Sequence, residues 1–324
     1  MKEMKRITGI GSALVDVLIN ESDQFLKDLG KEKGGMTYHD DPEIRQILDK
    51  SPEVPIIVPG GAACNTIVGV GNLGGKARFI GTRGMDTYGD LFENQIRSCG
   101  VEPRLTLSGS PTGKVLSVVT PDAQRSMFTD LGASTEMDPE KMVPELFQDT
   151  DIAVIEGYLL FNPELMKACI RAARDAGSRI ALDLASFEVV NASKDLLDDL
   201  VKEYVDILIA NEDEARAFTG VEDEEKALET LSENVTWAVL KVGPRGSWVS
   251  HGNQVFRIDP VRGRDPKDTT GAGDLWAAGF LFGLAQGFDI EKCGRLGSAC
   301  GYEVCQVMGA QIPEQGWERI RRLI

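Results

Sequence analysis

Strand-like and helix-like segments alternate regularly along the second half of the chain, and this alternation constrains the fold more than any other feature. The apolar runs have the length and composition of buried strands: DIAVIEG, SRIALDLA, VDILIA and TWAVLKVG. The segments between them have the periodicity of amphipathic helices, with good starts at Asn162 and Asn211 and good stops at Gly177 and Gly220. The pattern predicts a mostly parallel sheet covered by helices on both faces, which binds ligands at the carboxyl ends of its strands.

The first half of the chain has a different pattern, in which short β-branched segments are separated by glycine, proline and charged residues. These segments look like antiparallel strands, and they lie at residues 11–20, 54–58, 101–107 and 114–129. Several are too short for the main sheet, so we interpret them as a small β-structured lid. The lid would consist of insertions at about residues 12–38, 53–60 and 101–130, and residues 1–324 would form a single domain.

Composition excludes several classes of partner. The formal net charge of −16 argues against nucleic acid and anionic membranes, because both require a basic surface. An acidic protein can still bind a polyphosphate through a local device, such as a helix N-terminus, a nest of backbone amides or Mg²⁺. The chain has no run of about 18 apolar residues, and its start has the pattern of a first strand rather than of a signal peptide.

Cysteine and histidine usage limits the chemistry that the chain can perform. The six cysteines are scattered without a C-x-x-C pair, and the sequence contains two histidines. This usage predicts reduced thiols and a cytoplasmic location, and it argues against zinc sites and histidine-dependent catalysis. Acid–base chemistry is therefore expected to depend on carboxylates.

One segment combines the features that phosphoryl transfer to an alcohol requires. Residues 268–274 have the sequence DTTGAGD and precede the apolar run LWAAGFLFGLA, which predicts a buried helix. Gly271, Ala272 and Gly273 allow the backbone to approach a ligand closely, and free amides at a helix N-terminus bind phosphoryl oxygens. Asp274 lies at the same helix start. An N-cap explains a carboxylate there equally well, but its position beside an anion site favours a general base.

The segment DTTGAGDLWAAGFL resembles, position for position, the C-terminal signature of the ribokinase/PfkB carbohydrate-kinase family. The resemblance extends in order over nearly the whole chain. It implies a ribokinase-like three-layer α/β/α fold with a mostly parallel central sheet and a small β-structured lid. It also implies ATP-dependent phosphorylation of a hydroxymethyl group, with Asp274 as the base and the amides of Gly271, Ala272 and Gly273 as the anion hole. In many members the residue that matches Asp268 lies near a monovalent-cation site, which suggests K⁺.

Two further motifs resemble the acceptor-binding elements of this family. Gly60-Gly61-Ala-Ala-Cys-Asn65 is similar to the N-terminal signature, in which the two glycines and the asparagine contact substrate hydroxyls. A glycine backbone and an amide side chain can bind a polyol without using charge. The segment that contains Ser12 and ends at Asp16 resembles the first-strand motif, whose final aspartate holds sugar hydroxyls. Without the family, Asp16 is more simply explained as a loop carboxylate.

Two elements resemble the nucleotide-binding side of the family. Asn211-Glu-Asp-Glu214 is similar to the N-x-x-E element, which organises Mg²⁺ and phosphate, often through water. A helix cap is an adequate alternative explanation of Asn211. The segment from Lys241 through Gly243 to Gly246 resembles the T-L-G-x-x-G turn, with lysine where threonine is common.

Looser matches favour the adenosine-kinase-like branch of the family. Ile67 departs from the small residue of the sugar-kinase signature, and adenosine kinases resemble this chain at that position. The branch implies an adenosine-like nucleoside as acceptor, with its purine held between lid and pocket aromatics. Four side chains are candidates for these contacts, although each is also explained as a core residue: Phe128, Tyr158, Phe161 and Phe187.

Other functions are compatible with the sequence. The main alternative is a sugar kinase that acts on ribose, fructose or a sugar acid. A sugar acid requires a cation in the pocket, for which the candidates are Lys33, Arg83, Lys114 and Arg125. A non-catalytic nucleotide- or sugar-binding protein on the same fold and an oxidoreductase are further alternatives. Both a monomer and a homodimer agree with the sequence.

The sequence context argues against a nucleotide-binding role for two glycine-rich motifs. Residues 69–74 fit G-x-G-x-x-G, but they lie late in a predicted helix that begins near Asn65, whereas the dinucleotide motif opens a helix after a strand. Residues 108–115 resemble a P-loop, but Ser108 replaces its first glycine and Val115 its hydroxyl residue. We interpret residues 108–115 as a hairpin turn of the lid.

Overall fold

Fourteen strands lie within residues 5–122 and 124–324, which are the residues that the computed structural model describes. In chain order the strands are β1 (Arg6–Ile10), β2 (Leu14–Asn20), β3 (Met36–Tyr38), β4 (Ile56–Gly60), β5 (Lys76–Gly84), β6 (Val101–Ser108), β7 (Thr112–Val119), β8 (Arg125–Gly132), β9 (Thr150–Glu156), β10 (Arg179–Asp183), β11 (Ile207–Asn211), β12 (Trp237–Lys241), β13 (Ser247–His251) and β14 (Gln254–Ile258). Nine of them form a large sheet and five form a small sheet.

Twelve α-helices connect and cover the strands within the same residues. In chain order they are α1 (Asp23–Asp28), α2 (Asp41–Lys50), α3 (Ala62–Asn72), α4 (Thr87–Ser98), α5 (Pro163–Asp175), α6 (Phe187–Ala192), α7 (Lys194–Glu203), α8 (Glu212–Thr219), α9 (Glu224–Ser232), α10 (Ala272–Gln286), α11 (Ile290–Val304) and α12 (Glu314–Arg321). The side chains of Asn162 and Asn211 cap α5 and α8, as the sequence predicts. No helix among the described residues is both long and apolar enough to cross a membrane.

The large sheet has the order β14-β13-β12-β11-β10-β9-β1-β5-β6. The strands from β12 to β6 in this order are all parallel, and β13 and β14 add an antiparallel edge. Adjacent side chains of one strand enter different cores: Val154 belongs to the cluster under α3, α10 and α11, and Ile155 to the cluster under α5, α7 and α8. The prediction of a mostly parallel sheet covered on both faces is confirmed.

The glycine-rich segment 69–74 serves helix packing. Gly69 lies in α3 where this helix meets α10, and a Cβ atom on Gly69 would lie 2.5 Å from the Cβ atom of Ala278. Gly71 lies so close to the carbonyl oxygen of Cys99 that a side chain would overlap it. Gly69 lets the buried helix α10 approach α3 closely and Gly71 does the same for the end of α4, so these glycines serve packing and not dinucleotide binding.

The small sheet has the order β3-β8-β7-β2-β4 and is mixed rather than antiparallel. The pairs β2–β4 and β7–β8 are antiparallel, whereas β2–β7 and β3–β8 are parallel. The prediction of purely antiparallel pairing is therefore wrong. A parallel pair needs a long connection, and here the chain between β2 and β7 adds β5 and β6 to the large sheet before it returns to the small sheet.

Two predicted lid segments lie elsewhere. Residues 101–107 belong to β6, which pairs with β5 in parallel at the edge of the large sheet. Residues 108–115 do not form a hairpin turn, because they lead from the end of β6 in the large sheet to β7 in the small sheet. An edge strand is half exposed and therefore has the alternating pattern that we expect of a lid strand.

Candidate active site

Polar side chains lie at the ends of four neighbouring parallel strands of the large sheet. Glu156 and Asp183 are register partners at the ends of β9 and β10, and Asn211 and Lys241 are partners at the ends of β11 and β12. The start of α10 lies against this row, since a Cβ atom on Gly273 would lie 3.0 Å from Lys241 Nζ. The site therefore forms at the edge of the sheet where the sequence predicts ligand binding.

The backbone at the start of α10 is suited to an anion. Gly271 adopts a left-handed conformation with φ of 73°, and no side chain caps this 15-residue helix. Among the described residues, the amides of Gly271, Gly273 and Asp274 have no acceptor, whereas Ala272 N donates to Thr269 O (3.1 Å). Two of the three amides assigned to the anion hole are thus free at the positive end of the helix, and that of Ala272 is used within the loop.

The carboxylate of Asp274 is held by the helix that carries Asn65. Asn65 Nδ2 donates to Asp274 Oδ2 (2.9 Å), and Thr66 Oγ1 donates to Asp274 O (3.1 Å). Burial raises the pKa of Asp274 to about 7, the hydrogen bond from Asn65 lowers it, and the Asp183 and Glu156 carboxylates raise it. A carboxyl group with a pKa near neutrality is suited to accept the proton of an alcohol.

Asp16 on β2 lies over Gly60 on β4. A Cβ atom on Gly60 would lie 2.6 Å from the Asp16 carboxyl carbon, so a side chain at position 60 would displace the carboxylate. Burial raises the pKa of Asp16 to about 6, while the charge of Arg125 lowers it and that of Asp268 raises it. A carboxylate in this position can accept hydrogen bonds from the hydroxyls of a polyol.

We expect Gly60→Ala to weaken acceptor binding. The added methyl group displaces the Asp16 carboxylate, and hydrogen bonds to charged groups contribute about 1.5–3 kcal/mol, so the KM for the acceptor should rise about 10- to 100-fold. The KM for the nucleotide should stay within about twofold of the wild-type value. Gly109→Ala is the matched control, because a Cβ atom on Gly109 meets no other atom within 4 Å. An unchanged KM for the acceptor would exclude Asp16 as an acceptor ligand.

Glu156 is a site residue that the motif analysis missed. Its buried carboxylate accepts hydrogen bonds from Ala63 N (3.1 Å), at the start of α3, and from Ser12 N (3.5 Å). It thereby joins the end of β9 to the loop after β1 and to the helix that carries Asn65. Gly61, with φ of 96°, turns the chain into that helix. The signal in the sequence is a carboxylate directly after the buried run DIAVI.

Arg125 on β8 links the small sheet to the loop before α10. Its guanidinium forms an ion pair with Asp268 and donates to Thr270 Oγ1 (2.5 Å). The Asp268 carboxylate also accepts from Thr270 N (3.0 Å) and from Gly309 N (2.6 Å). A monovalent cation at this carboxylate would compete with the charge of Arg125, which already pairs with it.

Asn211 and Glu214 face each other across the start of α8. Asn211 Oδ1 accepts from Glu214 N (2.9 Å), and the Glu214 carboxylate accepts from Asn211 N (2.8 Å) and Asn211 Nδ2 (2.7 Å). Burial raises the pKa of Glu214, the charge of Lys241 lowers it, and that of Asp183 raises it. The alternative explanation of Asn211 as a helix cap is therefore confirmed.

The turn after β12 contains two residues with positive φ, and both are glycines. Gly243 and Gly246 have φ of 53° and 98°, and a side chain on Gly246 would overlap the carbonyl oxygen of Ile258. The side chain of Lys241 does not extend along this turn. It donates to Asp183 Oδ2 (2.9 Å) and lies beneath the start of α10.

The carboxylates of the site, as far as the structure describes the chain, are not arranged as the ligands of a metal ion. Within residues 5–122 and 124–324, no three histidine, cysteine, aspartate or glutamate side chains are grouped so that they could hold a metal ion. The side chains of Asn211 and Glu214 bind each other. These residues fit a Mg²⁺ ion that reaches the site on the phosphates of a nucleotide and keeps much of its hydration.

Phe128 does not face the site. It is buried and packs edge-on against His39, with the ring centroids 5.2 Å apart. Phe128 is three residues from Arg125 on β8, so the two side chains lie on opposite faces of the small sheet. Since Arg125 contacts the loop before α10, Phe128 lies on the far face, and its assignment to the acceptor pocket is wrong.

The other aromatic candidates are exposed, namely Tyr158, Phe161 and Phe187. Tyr158 lies in the turn directly after β9, two residues beyond Glu156, and partial burial and the charges of Glu156 and Asp274 raise its pKa to about 12. Tyr38 on β3 pairs with Thr129, which lies on the same face of the small sheet as Arg125. Tyr38 thus belongs to the small sheet, whereas Tyr158 follows a strand of the large sheet.

The cations considered for a sugar acid are all paired with carboxylates: Lys33 with Asp122, Arg83 with Glu93, Lys114 with Asp41 and Arg125 with Asp268. Lys114 is fully buried, and its strand position places it on the same face as Leu116, away from Asp16. Of these four residues, Arg125 is the one that contacts the loop before α10.

Comparison with known proteins identifies related kinases. The model of the pfkB family of carbohydrate kinases matches residues 55–316. The chain is 26% identical over 316 residues to the adenosine kinase of Saccharomyces cerevisiae, which covers 92% of this chain and 90% of the yeast protein.

Solved structures share the fold over the whole chain. A probable sugar kinase from Rhizobium etli CFN 42 is 32% identical and superposes with a TM-score of 0.89, covering 99% of both chains. An adenosine kinase from Sinorhizobium meliloti is 31% identical and superposes with a TM-score of 0.88, covering 99% of this chain and 100% of its own. Nucleoside and sugar kinases are thus similar to this chain to about the same degree.

Proposed function

Because the chain belongs to the pfkB family of carbohydrate kinases, we propose that it transfers the γ-phosphoryl group of ATP to the hydroxymethyl group of a nucleoside or a sugar. One observation carries this proposal. The Asp274 carboxylate, with a pKa of about 7, lies directly beside the free amides at the start of α10. A proton acceptor beside an anion site is the arrangement that phosphoryl transfer to an alcohol requires.

Each group at the site has a role in this reaction. Asp274 accepts the hydroxyl proton of the acceptor, whose oxygen attacks the γ-phosphorus as the bond to ADP breaks. The amides of Gly271 and Gly273 stabilise the charge that develops on the phosphoryl oxygens, and one such donor typically contributes about 10²–10³ in rate. Mg²⁺, bound to the nucleotide, supplies further neutralisation of phosphate charge. Asp16 and Asn65 hold and orient the acceptor hydroxyls.

Among possible acceptors we favour a neutral, adenosine-like nucleoside. Tyr38, on the Arg125 face of the small sheet, and Tyr158, directly after β9, offer exposed aromatic surface, which suits a purine. The ion pair of Arg125 with Asp268 leaves little free positive charge for the carboxylate of a sugar acid. The similarity to the Sinorhizobium meliloti adenosine kinase supports this choice.

A neutral sugar is the second candidate. Asp16 and Asn65 can bind the hydroxyls of ribose or fructose as well as those of a ribosyl group. The similarity to the probable sugar kinase of Rhizobium etli CFN 42 supports this candidate to the same degree.

We further propose that the small sheet acts as a lid. Asp16 belongs to this sheet and Arg125 contacts the loop before α10, so a movement of the sheet would deliver both side chains to the acceptor together. Closure would exclude water, which otherwise competes with the acceptor for the phosphoryl group.

The test is an assay of ADP release with Mg²⁺ and ATP against adenosine, other nucleosides, ribose, fructose and sugar acids. We expect the highest kcat/KM with adenosine or a related nucleoside. Highest turnover with a free sugar would replace the nucleoside by the second candidate. The absence of acceptor-dependent ADP release across the panel, from a protein that binds ATP, would contradict the proposed function and favour a binding protein.

A further inference from the structure

The side chain of Lys241 crosses the end of β11 to reach the site. Lys241 Nζ donates to Asp183 Oδ2 (2.9 Å), although β11 separates the two strands that carry these residues. The Lys241 side chain is only 14% exposed. Its Nζ atom lies 3.0 Å from the place of a Cβ atom on Gly273, so a larger residue at position 273 would meet the ammonium group. The ammonium group therefore lies against the backbone that receives the phosphoryl group.

Lys241 is a cation within a group of carboxylates. Burial lowers its pKa, but the charges of Asp183, Glu214 and Asp274 outweigh this effect and raise it, so the ammonium group stays protonated. Glu156 adds a fourth negative charge that acts on Asp274. A polyphosphate that enters this group of carboxylates meets repulsion, which a buried positive charge beside the phosphoryl position offsets.

The ammonium group also has hydrogen-bonding capacity to spare. It carries three N–H donors, and Asp183 is its one hydrogen-bond acceptor in the described part of the chain. Its remaining donors lie close to Gly273, one of the residues at the start of α10 whose amide is free. The threonine that is common in the similar turn of the family carries no charge, so a role in holding the nucleotide turn does not account for a lysine here.

We propose that Lys241 is a side-chain member of the anion hole and that Asp183 positions it. The inference rests on the proposed kinase function. As the phosphorus–oxygen bond to ADP breaks and the bond to the acceptor oxygen forms, the Lys241 ammonium donates a hydrogen bond to an oxygen of the transferred group. The acceptor proton goes to Asp274, and Lys241 remains protonated throughout.

The first experiment separates this role from neutralisation of Asp183. Lys241→Met removes the charged partner of the partly buried Asp183, which keeps the hydrogen bond from Ala185 N, whereas the double variant Asp183→Asn/Lys241→Met removes both charges. If Lys241 belongs to the anion hole, kcat should fall about 10²–10³-fold in both variants, while the double variant regains the melting temperature. A double variant with kcat within about threefold of wild type would overturn the proposal, since Lys241 would then only balance Asp183.

The matched control is Arg174→Met. Arg174 pairs with Asp206 (3.0 Å) at the opposite, amino end of β11, so this variant also loses an ion pair of the sheet. It should change the melting temperature and leave kcat within about twofold of wild type. An equal loss of kcat in Arg174→Met would show that the effect of Lys241→Met is structural.

A binding measurement tests the same contact without turnover. Calorimetry would compare the affinities of wild type and Lys241→Met for ADP and for the β,γ-imido analogue of ATP. A contact to the γ-phosphoryl group predicts that Lys241→Met weakens binding of the analogue at least about tenfold more than binding of ADP. Equal weakening would overturn the proposal. If the wild type releases no ADP with any acceptor, the proposed function is contradicted but the proposal for Lys241 is not. The binding measurement still decides whether Lys241 contacts the γ-phosphoryl group.

Discussion

Asp274→Asn is expected to lower kcat by about 10²–10⁴-fold, because the amide cannot accept the proton of the acceptor hydroxyl. The substitution keeps the shape of the side chain and an oxygen that can accept the hydrogen bond from Asn65 Nδ2. Nucleotide affinity, measured by calorimetry, should therefore stay close to that of wild type. Turnover within about tenfold of wild type would exclude Asp274 as the base.

The pH dependence of kcat in the wild type is a second test of Asp274 as the base. Its pKa of about 7 means that the base is largely protonated below neutrality, so kcat should rise with pH, reach half its maximum near pH 7 and level off about one pH unit higher. The raised pKa of Asp274 also makes the free energy of unfolding depend on pH. Between the ordinary aspartate pKa and about 7, the folded state holds a proton that the unfolded chain has lost, so this group's contribution to stability falls as pH rises. Asp274→Asn should thus melt at a higher temperature than wild type at pH 8, and a lower melting temperature would contradict the raised pKa.

The second large effect concerns the link between the small sheet and α10. Asp268→Ala should lower the free energy of unfolding by about 3–5 kcal/mol, because it leaves the Arg125 charge unpaired. The Arg125 side chain is 13% exposed and the Asp268 side chain is 7% exposed, so water solvates the remaining charge poorly. The substitution also removes the acceptor of Thr270 N and Gly309 N. Denaturant unfolding of variant and wild type measures the difference.

Two further variants calibrate this result. Arg125→Met/Asp268→Asn removes both charges and keeps an oxygen acceptor, so it should regain much of the lost stability. Arg257→Met breaks an ion pair with Glu225 whose side chains are 65% and 64% exposed, and it should cost less than about 1 kcal/mol. A loss in Asp268→Ala no larger than in Arg257→Met would mean that the buried pair does not hold the small sheet to the loop.

The sequence predicts the large sheet well because burial leaves a local pattern. Strands such as β9 and β11 are covered on both faces, so they are continuous apolar runs whatever their neighbours are. The edge strand β6 lacks this pattern, because it has a neighbour on one side only and is half exposed. Strand direction in the small sheet leaves no local pattern at all, which is why the parallel pair β2–β7 is not predictable from these segments.

Some contacts of the candidate site can be predicted from the sequence, and others cannot. The family resemblance supplies Asp274 and Asn65, and their hydrogen bond shows that the two side chains are neighbours. The ion pair of Lys241 with Asp183 joins segments far apart in sequence, so neither segment reveals it. Phe128 shows how little separates the two faces of a strand, because one residue in either direction reaches the opposite face.

The position of β1 has a consequence for synthesis on the ribosome. β1 lies in the middle of the large sheet, where Arg6 pairs with Lys76 on one side and with Thr150 on the other. At about 5–20 residues per second, on the order of 10 seconds pass between the emergence of β1 and that of β9. Both edges of this apolar strand are open until β5 emerges, and the edge that pairs with β9 stays open for the whole interval. We therefore expect chaperones to bind nascent chains that end before β9, and folding of the sheet to follow only after that strand has left the exit tunnel.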